Sequence, residues 1–294
     1  MLFGLSTLSL FKAGASADLL AHVARGADAL GFDSMWMGHH VAFETEMSSP
    51  YPYGQNPMTS ATPRLDTWIT LTYLAAVTKR LRFGSAVYLT PLINPLITAR
   101  AVMSADYLSG GRMFFGMGVG WNREEFVMLE QDFSTRGART DEIIEILRKL
   151  FTEETITHEG QFYNFGPVNF EPKPLQRPWP PMLYGGMSPP ALARAARLDG
   201  CVLPTNDLAE IKGALDTINR HREKAGKLGQ PFDITVAGPF PMTRESLEPL
   251  IEMGVNRVNF DVGTNPLDPH NPLVPIEAEA LARNLERMAE HFLR

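Results

Sequence analysis

Segments with β-strand character alternate with segments of helical periodicity eight times along this chain. That alternation restricts the fold more than any single motif does. Strands are expected at Leu2–Ser6, Asp33–Gly38, Arg82–Leu89, Met113–Met117, Pro181–Gly186, Gly200–Leu203, Phe232–Ala237 and Arg257–Val262. Between them apolar residues recur at the spacing of one helical face, as at Leu19, Val23, Ala27 and Leu30, or Leu208, Ile211, Leu215 and Ile218. Ile143, Ile146, Leu147 and Leu150 form another such stripe, and Leu281, Leu285, Met288 and Phe292 mark a final helix. Leu65–Val77 and the region around Leu247–Met253 read as helices, and Asn94-Pro95 caps and opens one that runs to Leu108. Ser188-Pro189 starts a short helix through Arg197. Strands joined through helices run parallel, so eight such units predict an α/β chain closed into a (β/α)8 TIM barrel. A single domain over residues 1–294 is expected, and its length exceeds the roughly 250 residues typical of that fold.

The surplus falls in two insertions, at about 43–64 and 152–180. Long excursions from a compact fold are usually functional loops. The first follows a strand, which places it at the C-terminal, catalytic face of a barrel. The second follows a helix and begins at the opposite face, so it reaches the site only by crossing the barrel wall.

Composition removes several classes of function. The 27 Lys and Arg residues are dispersed among 33 acidic ones, a net charge of −6, so no basic stripe points to nucleic acid. The single cysteine, Cys201, forms no internal disulfide and sits in the apolar run Gly-Cys-Val-Leu-Pro, where a core filler is expected. No apolar run reaches the roughly 18 residues a membrane span needs. The first residues read as a strand rather than a signal peptide, and a cytoplasmic location is expected.

The stretch from Gly110 to Phe126 opens on a Gly-Gly turn, continues as a short apolar strand and ends in glycines at 116, 118 and 120. A strand end without side chains lets a flat ligand or a phosphate approach the backbone, or lets another element pack closely. The spacing is not the dinucleotide fingerprint, since the third glycine comes one residue early and the next acids, Asp141 and Glu142, fall inside a helix. After the fifth strand, Tyr184-Gly185-Gly186-Met187-Ser188-Pro189 reads either as a phosphate seat at a helix N-terminus or as an ordinary strand-to-helix turn. His39-His40 ends the second strand, where barrels place catalytic groups, and only one of two neighbouring side chains can face the mouth. Their spacing to Glu44 and Glu46 matches no zinc pattern, and no metal is expected. Gly84-Ser85-Ala86-Val87 reads first as simple β packing and second as room for the close approach of a flat ligand. Glu124-Glu125 reads first as acids stabilising a helix start and second as a general acid or base. No nucleophile elbow, Walker loop or His-Glu-x-x-His motif supports a hydrolase or a kinase.

Taken in order, several of these segments resemble the luciferase-like monooxygenase family of flavin and deazaflavin barrel enzymes. They are Ala29-Leu30-Gly31-Phe32-Asp33-Ser34, Leu108-Ser109-Gly110-Gly111-Arg112, the glycine strand with Trp121-Asn122 and Glu124-Glu125-Phe126, Arg139-Thr140-Asp141-Glu142, Phe162-Tyr163-Asn164-Phe165, Pro172-Lys173-Pro174, Gly185-Gly186 and Ala195-Ala196-Arg197. The Tyr51-Pro52-Tyr53 loop makes the chain most similar to the subgroup that uses coenzyme F420.

The resemblance implies a tricyclic ring over the barrel mouth, backed by Ala86-Val87, whose peptide bond is often cis in relatives. Gly118, Val119, Gly120 and Asn122 would flank it, and Gly185, Gly186, Met187 and Ser188 would hold its phosphate. His40 would stand beside the cofactor and serve as the catalytic group. His39 and Trp121 replace acids that deazaflavin dehydrogenases carry at these places. The implied function is hydride transfer between F420 and a small organic substrate, with a loop bearing Phe43, Tyr51 and Tyr53 closing over it. The alternatives are an FMN-dependent monooxygenase fed by a separate reductase, and a cofactor-binding protein without catalysis. A homodimer is expected from the same resemblance.

Overall fold

The computed structural model describes residues 1–294 except 13, 55, 239–243, 265–275 and 294. The strands are β1 (Leu2–Ser6), β2 (Ser34–Met37), β3 (Arg82–Ser85), β4 (Tyr88–Leu89), β5 (Met113–Gly118), β6 (Thr155–Glu159), β7 (Asn164–Asn169), β8 (Met182–Gly185), β9 (Gly200–Leu203), β10 (Asp233–Ala237) and β11 (Arg257–Asp261). Around the sheet the order is β3-β2-β1-β11-β10-β9-β8-β5, every pairing is parallel, and β3 also pairs with β5. Phe83 opposite Met113 and Gly84 opposite Phe114 therefore close an eight-stranded barrel. The (β/α)8 expectation holds. The third strand is shorter than its sequence suggested: the ladder breaks at Ala86–Val87, a cis peptide, and resumes as β4 beside β5.

The helices are α1 (Leu8–Lys12), α2 (Ala17–Leu30), α3 (Thr67–Ala76), α4 (Pro95–Ser109), α5 (Arg123–Met128), α6 (Arg136–Thr152), α7 (Pro189–Ala195), α8 (Leu208–Lys224), α9 (Arg244–Glu252) and α10 (Ala278–Phe292). Local chemistry sets several ends. The Asn94 side chain accepts from Leu96 N, Pro95 opens α4, and Gly110 ends it in the left-handed region at φ 73°.

Alternate residues of each strand face outward, and Leu5, Met35, Phe83, Phe115, Cys201 and Val258 pack there against helices in the main core. Cys201 is fully buried and desolvation pushes its thiol up, as expected of a core filler. Inward-facing residues form layers. At the N-terminal end Arg257 is 1% exposed and donates to Asp33 at 2.5 Å, to Asp233 at 2.8 Å and to Thr235 at 2.8 Å. Above it Trp36 stacks on Phe114 with ring centroids 5.2 Å apart, and Leu183 and Val202 complete an apolar layer. The Arg257 guanidinium lies 4.6 Å from the Phe114 centroid, so the charged and apolar layers touch. The barrel interior is thus filled from below.

The second insertion is not an active-site loop. It folds as the antiparallel hairpin β6–β7 with His158 bonded to Glu142 on α6, and none of its residues lines the cavity described next.

Candidate active site at the C-terminal mouth of the barrel

Above the Trp36–Phe114 layer the inward residues become small. Ser6, Gly38, Ala86, Gly185 and Ala237 line a cavity at the strand C-termini, with about 1130 Å³ of empty space that includes its open mouth. Of these floor residues Ala86 and Gly185 were expected at the site, whereas Ser6, Gly38 and Ala237 were not. Their signal was a small residue on the inward register at the end of each strand.

Two expected glycines act at one remove. A Cβ on Gly118 would come within 2.5 Å of Val87 Cγ2, and one on Gly185 within 2.3 Å of Val87 Cγ1. The missing side chains therefore seat Val87, and Ala86 and Val87 line the cavity. Gly118, Val119, Gly120 and Asn122 do not line it. Gly120, at φ 83°, sits under Phe126, while buried Asn122 caps α5 by accepting from Glu124 N at 3.1 Å. Gly186 lines the cavity, and Met187 lines an adjoining hollow shared with Tyr53, Pro204 and Ala237. Ser188 precedes α7 but makes no capping hydrogen bond through its side chain.

Both histidines line the cavity, where only one was expected to face the mouth, because β2 ends at Met37 and strand alternation no longer sets their directions. His39 is buried and stacks on Tyr88 with centroids 4.1 Å apart, and its Nδ1 accepts from Leu89 N at 3.3 Å. Burial pushes its pKa down to about 4, against the opposing field of Glu125. His40 also lines the cavity, and its Nδ1 lies 2.8 Å from Glu125 Oε2. The other carboxylate oxygen accepts from Val41 N at 2.5 Å, and Glu125 is fully buried. An acceptor carboxylate at Nδ1 places the ring hydrogen there and leaves the Nε2 lone pair for a ligand. Glu125, in the first turn of α5, is the acid that reaches His40. Sequence reasoning had favoured a dipole role for both acids, which fits its neighbour only in part. Glu124 accepts from Ser48 N at 3.1 Å, Ser49 N at 2.9 Å and the Ser48 hydroxyl. Desolvation opposes ionisation of Glu124, but hydrogen bonds from Ser48 and Ser49 outweigh it and hold the carboxyl at about 2.

Glu124 thereby ties the first insertion to α5. Rings gather where they meet: Tyr51 packs edge-on to Trp121 at 5.3 Å, and Phe43 lies 4.6 Å from the His40 ring. Tyr51, Tyr53 and Trp121 line the cavity, so this loop forms its wall. Among the described residues no three His, Cys, Asp or Glu side chains converge as metal ligands. Nor is any described helix long and apolar enough to cross a membrane.

The profile of the luciferase-like monooxygenase family matches residues 1–250. The uncharacterized protein Rv0940c of Mycobacterium tuberculosis (strain H37Rv) is 33% identical over 282 residues, covering 92% of this chain and 93% of its own. Among solved structures, monooxygenase RslO1 from Streptomyces bottropensis superposes with a TM-score of 0.76 at 23% identity, covering 100% of this chain and 99% of the other. The coenzyme F420 dependent tetrahydromethanopterin reductase from Methanopyrus kandleri gives 0.74 at 15% identity over 99% and 98%. At those identities the structural likeness is one of fold. Profile, relative and barrel agree, and the chain belongs to the luciferase-like monooxygenase family.

Proposed function

We infer that this protein is an oxidoreductase that transfers a hydride between coenzyme F420 and a small organic substrate. The observation that carries the reading is the buried Glu125 carboxylate holding His40 at the wall of a cavity floored by small residues. A bound deazaflavin supplies hydride chemistry, and this chain supplies position and a proton. Ala86, Val87, Gly185 and Ala237 fit a flat ring, because larger side chains there would fill the space it needs. Gly186 and Ser188 are the residues that would meet its phosphate. His40 Nε2 takes or delivers the proton that accompanies the hydride, and Glu125 keeps that nitrogen in the correct tautomer. Tyr51 and Trp121 exclude water. The fold shared with an F420-dependent reductase supports this choice of cofactor.

A second reading, FMN with oxygen and a separate reductase, is favoured by the aromatic wall, since oxygen chemistry on reduced flavin needs a dry site. It also draws on the fold shared with a monooxygenase. Calorimetric titration with F420 and FMN, each oxidised and reduced, separates the readings. F420 is expected to bind the more tightly. Turnover in His40→Ala should fall by about 10²–10⁴ with cofactor affinity little changed. Tighter FMN binding with oxygen uptake would establish the second reading, and binding of a cofactor without turnover on a broad substrate screen would leave a carrier protein.

A further inference from the structure

Arg64 is a cation in the cavity wall that forms no ion pair among the described residues. It lines the cavity together with Tyr51, Pro57, Met58, Thr62 and Leu65. Its guanidinium lies 4.4 Å from the centroid of the Phe43 ring, and Nη2 contacts the Met58 thioether. Nε is buried without a partner, and among the described residues no carboxylate lies within ion-pairing distance. The Glu125 charge reaches it only through space, since both oxygens of Glu125 are committed to His40 and to the Val41 amide. Burial lowers the Arg64 pKa to about 10, with Glu125 opposing, so it is charged at neutral pH. A sulfur and a ring face do not neutralise a guanidinium. Partly buried charges are otherwise paired, and a lone one facing a cavity is complementary to an anionic ligand.

We propose that Arg64 is the substrate-recognition residue of this site, and that the substrate is a small carboxylate whose apolar body lies against Tyr51, Met58 and Leu65. The proposal rests on the oxidoreductase reading above for the word substrate, but not for the binding. A carboxylate suits Arg64 because a planar guanidinium offers parallel donors to its two oxygens. The apolar lining favours a carboxylate with a hydrocarbon chain over an inorganic anion.

The test is calorimetric titration of hexanoate and its neutral isostere hexanamide into the protein, cofactor-free and cofactor-loaded. Wild type should prefer hexanoate by at least about tenfold, the scale of a charge-assisted hydrogen bond. Arg64→Met should remove that preference and leave hexanamide and cofactor affinity unchanged, and Arg64→Lys should retain part of it. Equal binding of the two probes by wild type, or no measurable hexanoate binding, overturns the proposal. So does a Met variant that loses cofactor affinity while keeping the preference, since Arg64 would then serve the cofactor. Hexanesulfonate binding more tightly than hexanoate would overturn the carboxylate assignment. Failure of both cofactors to bind wild type would sink the oxidoreductase reading alone, because the hexanoate preference is read without them.

Discussion

His39 and His40 are adjacent in the chain and meet opposite surroundings, which gives them different jobs. His40 keeps one nitrogen for a ligand, whereas His39 is neutral packing that accepts a backbone amide. His39 also has a consequence for stability. Its folded pKa is about 4, below the value near 6.5 of an exposed imidazole. Between those values the unfolded chain binds a proton that the folded chain does not. The stabilisation is therefore complete above pH 6.5 and is lost as pH falls towards 4, on the order of 3 kcal/mol in all. His39→Asn, which keeps an acceptor for Leu89 N, should flatten stability against pH across that range in urea unfolding curves. Parallel curves for the two proteins would show that His39 does not set the slope. Glu125 shows the limit of reading residues singly. Its identity and its place beside Glu124 were plain, but nothing local says that one acid ties down a loop while its neighbour reaches 85 residues back to His40.

At the level of elements, the strand ends decide the chemistry. Bulky side chains such as Trp36, Phe114 and Leu183 fill the middle of the barrel, and smaller ones such as Ser6, Ala86 and Ala237 cap it. Ala237→Leu should lower cofactor affinity by more than about tenfold, because a leucine would occupy the floor instead of the ring. Its melting temperature should stay near that of wild type, since the added bulk points into open space. Unchanged affinity would mean that the ring does not rest on this floor. The two insertions also part company at this scale. The first is anchored by Glu124 and supplies Tyr51, Tyr53 and Arg64 to the cavity. The second is a hairpin that docks on α6, and its prolines and length gave no clue to that difference.

Across the whole molecule, barrel closure is underpinned by a buried charge cluster far from the mouth. Arg257 joins Asp33 before β2 to Asp233 on β10, so one side chain links strands that lie apart in sequence. Arg257→Met would remove the guanidinium that hydrogen-bonds both carboxylates and leave only the field of Arg82 to offset their charge. A loss of about 3–5 kcal/mol is expected in chemical denaturation, the usual cost of removing one partner of a buried pair. Arg283→Met, which breaks an exposed pair with Glu279, should change stability by less than about 0.5 kcal/mol. Equal effects at the two sites would show that the cluster contributes nothing special to closure.

Sequence alone determined the order of strands and helices, and with it the barrel, because periodicity and capping are local properties that a short window of residues carries. It also marked His40, Gly185 and Gly186, since each lies at a strand end where a barrel exposes its residues, while Ala86 and Val87 were marked only through the family resemblance. Tertiary structure alone decided which inward residues share the floor, that Gly118 makes room for Val87 and not directly for a ligand, and that Glu125 and Arg64 belong to the same cavity. Those relations join residues tens of positions apart. They depend on how the strands stagger around a closed cylinder, a geometry fixed only when the last strand pairs with the first.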